Sequence, residues 1–80
     1  MSNMTNHYIN EIYKVQNIID EMTKLQLKID DLDLPEIERI KLNDTIEKCT
    51  IKELHKVSNN FKSQLKYSIY TDKKGEINNE

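Results

Sequence analysis

Apolar residues fall at Tyr8, Ile12, Val15, Ile19, Met22 and Ile29, at alternating steps of three and four, and Gln26 fills the one place in that series without an apolar side chain. This is the spacing of a coiled-coil seam. Met4, Ile18, Leu25 and Leu32 run one step round the cylinder, and Ile9 and Leu27 lie on the other flank. So wide an apolar arc is not satisfied by one neighbouring helix, and the pattern predicts contact with two. Gln26 either sets the register of the assembly or faces solvent where the helices splay.

Met1 to Asn3 are polar and expected to fray, with Ser2 or Thr5 as cap. The first helix should run to about Asp30 or Leu32, where Asp30, Asp31 and Asp33 put negative charge at a carboxyl end that disfavours it. Asp33-Leu34-Pro35-Glu36 reads as the start of a second helix, an Asp cap with Glu three residues on and Pro in the first turn. So short a turn makes antiparallel neighbours.

The second helical region spans Pro35 to about Tyr67, nearly matching the first in length. Ile51, Leu54, Val57, Phe61, Leu65 and Ile69 form its main stripe, with Ile37 and Ile40 at the edge. Leu42, Ile46 and Cys49 point elsewhere, and on a straight helix Asn43, Glu47 and Thr50 would fall under that stripe. The register therefore shifts between Asp44 and Thr50. Thr50-Ile51-Lys52-Glu53 also fits a capping box, so the second helix is expected to be continuous, kinked or split near residues 44–50. Residues 1–69 form one helical domain. After it, β-branched and aromatic residues around the Gly75 turn suit either a polar tail or a marginal β-hairpin over 70–80.

Composition narrows the alternatives. A chain of 80 residues builds a thin core, and its single cysteine excludes an internal disulfide. The extra buried area is expected from self-association or a partner protein. Leu, Ile, Val and Phe supply 21 of the 80 residues, enough for a folded chain. An unpaired thiol suits a reducing cytosol, and neither a signal peptide nor a membrane span is expected, so the location expected is cytoplasmic. Ala is absent and Lys outnumbers Arg eleven to one, a codon preference of low-GC bacteria and their phages.

Candidate chemistry is sparse. His7, His55 and Cys49 do not form a paired metal motif, and the acidic turn lacks the Gly and spacing of a calcium loop, so no metal is expected. One Gly in the chain excludes a phosphate-cradling loop, and no serine stands in a nucleophile elbow. No cofactor and no catalysis are expected. Lys41, Lys48, Lys52 and Lys56 line the side opposite the apolar stripe, a modest phosphate-contacting stripe or an ordinary solvated face. With a formal charge of -2 and a lone Arg, nucleic acid is the lesser alternative.

The pattern therefore predicts an all-α antiparallel helical hairpin that dimerises, antiparallel, into a four-helix bundle. Self-association is expected through Tyr8, Ile12, Val15, Ile19, Met22, Gln26, Ile29, Leu54, Val57, Phe61 and Leu65. Tyr8, Tyr13, Tyr67 and Tyr70 should gather at the open end of the hairpin as a partner-contacting patch or as its seal. The expected role is a non-catalytic, protein-binding regulator or inhibitor, with a nucleic-acid-associated protein or a scaffolding factor as alternatives.

Overall fold

The thirty residues before the turn carry no Gly or Pro, and nothing interrupts their three-four spacing. In the computed structural model, which describes residues 3–78 and the side chains of residues 4–71, they form α1, Asn3–Asp30. The chain turns through residues 31–35 and returns as α2, Glu36–Thr45, a π-helical turn, Ile46–Ile51, and α3, Lys52–Asn78. The protein is an all-α antiparallel helical hairpin, with no strand among the described residues.

The seam of α1 is the one its spacing predicts. Val15 and Ile19 are buried, and Tyr8, Ile12, Met22, Gln26 and Ile29 are half-buried. Across from them, Arg39, Asn43, Ile46, Ile51, Leu54, Ser58, Phe61, Leu65 and Ser68 are buried or half-buried. Those positions keep steps of three and four except between Ile46 and Ile51, where the step is five. The π turn accounts for it: Lys52 N–H reaches back five residues to the Glu47 carbonyl. One extra residue is thereby absorbed without breaking the helix, Thr50 is left exposed and Ile51 becomes the most buried apolar residue, 4% exposed. Of the continuous and split forms, the continuous one is found.

Where the register shifts, the seam is polar. Asn43 Nδ2 donates to the Gln26 carbonyl at 3.4 Å and to Asp30 Oδ1 at 2.6 Å. Gln26 Nε2 donates to the Asn43 carbonyl at 3.4 Å and to Glu47 Oε2 at 3.1 Å. Each amide thus meets the other's main chain, so Gln26 sits within the seam and does not splay into solvent. Two long-range amide bonds of this kind tie one register of the arms together.

Five expectations are corrected. Asp33 does not cap α2; Pro35 stands at the cap with no side-chain bond, its extended backbone already aiming the chain into the helix. The carboxyl end of α1 is instead served by Arg39, whose Nη1 donates to the carbonyls of Asp30 at 3.2 Å and Leu32 at 3.3 Å. Thr5 lies inside α1 and its hydroxyl shares a 2.6 Å hydrogen bond with Ser68, so it is a seam residue and not a cap; Ser2 lies outside the described residues. Val57 and Ile69 are exposed, and Ser58 takes the inward place that Val57 was expected to hold, because after the π turn the step of three and four counts from Ile51. Finally, the backbone stays helical to Asn78 where a tail or hairpin was expected; the last two residues lie outside the described ones. The arms do not match in length, since α3 runs on beyond the Thr5–Ser68 pair that closes the seam.

Arg39 is a direct test of how the turn is held. Arg39→Ala should lower stability by about 1 kcal/mol, the usual size of a lost hydrogen bond, read from the urea midpoint; the loss falls mainly on the Asp30 carbonyl, since that of Leu32 keeps the Leu34 N–H at 2.9 Å. Arg39→Lys should recover only part of that, because the shorter, more strongly hydrated ammonium does not reach the place where Nη1 meets both carbonyls without giving up its water.

Candidate protein-interaction site

A two-helix hairpin has two broad sides. In the heptad repeat of α1, Thr5, Ile12, Ile19 and Gln26 take position a, and Tyr8, Val15, Met22 and Ile29 take position d. Met4, Glu11, Ile18 and Leu25 then take position g, and Leu32 follows at the same step in the turn. On the second arm, counted through the π turn, Leu42, Thr50, Val57, Gln64 and Thr71 take position g. Antiparallel helices bring their g positions to the same side and their e positions to the other. One side therefore carries Met4, Ile18, Leu25, Leu32, Leu42 and Val57, each 42–53% exposed. The other is mostly polar, with Gln16, Thr23, Asp30, Glu47, His55 and Lys62 among its e positions, interrupted by Ile9, Ile40 and Ile69.

The apolar side deepens at the open end into a groove of about 540 Å³, lined by Met4, Tyr8, Ser63, Gln64, Tyr67, Ser68 and Thr71. Tyr8 is half-buried there and packs its ring on Phe61, with centroids 6.4 Å apart, and on His7 at 5.5 Å. Tyr67 stands 73% exposed at the groove's edge. Of the four tyrosines expected to gather, the fold brings only Tyr8 and Tyr67 to one site. Tyr13 and Tyr70 are exposed and line no part of it, because the 3.6-residue turn places them away from the g side. Met4 and Gln64 belong to the groove although no sequence feature singled them out for it. The signal was present in the step of seven that links Met4 to Ile18, Leu25 and Leu32.

The residues expected to drive self-association have another use. Tyr8, Ile12, Val15, Ile19, Met22, Gln26, Ile29, Leu54, Phe61 and Leu65 lie in the seam between the chain's own arms. A tethered arm is always at hand, so the seam residues meet it first. Any second molecule is left the flanks, where Val57 sits.

Lys41, Lys48, Lys52 and Lys56 are all exposed on the outer face of the second arm. Lys48 meets Asp44 at 3.6 Å and Lys56 meets Glu53 at 3.1 Å, ordinary one-turn surface pairs worth a few tenths of a kcal/mol. They make a mixed-charge face. On α1, the hydrogen bond from Lys14 at 2.8 Å holds the Glu11 carboxyl below the usual carboxylate range. Cys49 is exposed, as are His7 and His55, and no group of three or more metal-ligating side chains occurs among the described residues. No described helix is long and apolar enough to cross a membrane. No protein-family model, curated protein or solved structure matches this chain.

Proposed function

We propose that this chain is a non-catalytic, protein-binding regulator or inhibitor of the cytoplasm that acts through the apolar side of its hairpin. The observation that carries the reading is the groove between Met4, Tyr8 and Tyr67, continued along the same side by Ile18, Leu25 and Leu32. Tyrosine offers large contact area at little loss of freedom and methionine adapts its shape to a partner, and both are enriched at protein interfaces. A helix from a bound protein would lay its apolar stripe along this side and seat one side chain in the groove, so the mechanism is helix-in-groove occlusion.

Photo-crosslinking tests it. A photoreactive phenylalanine in place of Tyr67, irradiated in a low-GC bacterial lysate and as the pure chain, should join covalently to a protein in at least one of the two. The same group in place of Tyr13 should join far less. If position 67 forms no protein adduct in either sample, the apolar side is not a protein-binding surface.

A further inference from the structure

We infer that the occupant of the apolar side is a second copy of this chain, two hairpins closing face to face into a four-helix bundle. The inference rests on the protein-binding reading above and names the protein bound. It stands on shape, area and pattern.

The hairpin is long and flat, 66 × 15 × 10 Å, with a radius of gyration of 18.5 Å where a compact chain of this length would have about 12 Å. It exposes 6400 Å² of surface, against about 5,000 Å² for a compact monomer of its mass. The surplus, on the order of 1,400 Å², exceeds the ~800 Å² that each partner buries in a stable interface. One broad side of the molecule is itself on the order of 1,000 Å², so covering it once removes most of that surplus. Only Val15, Ile19 and Ile51 are buried apolar residues among the described ones, a core too thin for a self-sufficient domain.

The residue pattern fits the same occupant. Apolar residues at a and d alone suit a two-stranded seam, whereas a further apolar g position is what a helix in a larger bundle shows. Here the g row carries apolar residues on both arms, at Met4, Ile18, Leu25 and Leu32 and at Leu42 and Val57, while the e side is mostly polar. From Met4 to Leu25 the row is about 32 Å long at 1.5 Å per residue, and Leu32 follows it in the turn. It covers most of the length of α1, and a partner that covers it evenly must be another rod of similar length. A two-fold axis supplies one, because the same patch then meets itself.

Light scattering on a size-exclusion column should give twice the 9.5 kDa chain mass. Ile18→Glu with Leu25→Glu, both on the flank and outside the arm-to-arm seam, should halve it, and Leu27→Glu on the other side should leave it unchanged. Should the double variant unfold, hydroxyl-radical footprinting of the unaltered chain decides: Ile18, Leu25 and Val57 should be protected relative to Leu27 and Ile37. A wild-type monomer at every concentration, a dimer indifferent to the double variant, or equal oxidation at the two sets overturns the inference. The crosslinker at position 67 separates this from the broader reading. An adduct of the chain with itself supports both, an adduct only with a different protein overturns the second copy and keeps protein binding, and no adduct ends both.

Discussion

Ile51→Ala is expected to remove about 2–4 kcal/mol of stability, the range for emptying a well-packed aliphatic site. A chain of this length holds only about 4–12 kcal/mol in all. Ile51 is the most buried apolar side chain, and Val15 and Ile19 of the opposite arm form the cluster it completes. Two straight helices have little freedom to collapse into the gap, because their backbones are held apart by Met22, Ile46, Leu54 and Phe61 on either side. A urea titration followed by circular dichroism should show the midpoint fall by about a sixth of its value or more. Thr50→Ala, one residue away but exposed, should change it by less than about 0.5 kcal/mol. Equal losses at the two positions would mean that the π turn does not direct Ile51 inward.

The second large effect is a contrast between two deletions. Removing Thr50 shortens the step from Ile46 to Ile51 from five residues to four, which an ordinary α-helix accommodates. Every seam residue after it keeps its place, so the hairpin should survive with stability within about 1 kcal/mol of the parent, the scale of one backbone hydrogen bond regained. Removing Asn60, equally exposed, rotates all that follows by about 100°. Phe61, Leu65 and Ser68 then leave the seam, the Phe61 contact with Tyr8 is lost, and Thr5 loses its hydrogen bond to Ser68. Burial of two large side chains, worth at most about 1.5–3 kcal/mol each, goes with them, a large share of the ~4–12 kcal/mol the chain holds and enough to open this end of the hairpin. Amide hydrogen exchange would locate the damage at the open end. Comparable destabilisation by both deletions would show that the π turn carries more than an inserted residue.

That contrast also marks how far the pattern alone could be read. The register shift between Asp44 and Thr50 is visible because Asn43, Glu47 and Thr50 stand where apolar residues should. Its form was not visible, because a kink, a break and a π turn all displace the stripe by a similar angle. The capping-box match at Thr50 argued for a break; backbone continuity won because Ile51 gains more by turning inward than Thr50 does by capping. Hydrophobicity alone favours Val57 over Ser58 as the seam residue, but position decides, and Ser58 is the one buried. A small serine fits where two helices approach, and its hydroxyl is satisfied locally on a helix, so polarity does not disqualify it.

The open end shows the limit at the site. Four tyrosines near the chain's two ends were expected to meet because an antiparallel hairpin brings those ends together. Proximity along the axis is a property of the hairpin, but meeting also requires a shared side, and Tyr13 and Tyr70 are turned away from the one that Tyr8 and Tyr67 share. The protein contact we propose rests on fewer of these residues, joined by Met4 and Gln64.

Periodicity, a two-sided apolar arc and a short Pro-containing turn suffice for two antiparallel helices with a seam at Tyr8 to Ile29, since local spacing alone decides which side of α1 is apolar. Which residues of the second arm answer that seam depends on a phase carried through one π turn. The shape of the groove depends on both arms at once. Such features are set by contacts between residues far apart in the chain, as in the pairs Thr5 with Ser68 and Gln26 with Asn43, and no local pattern contains them.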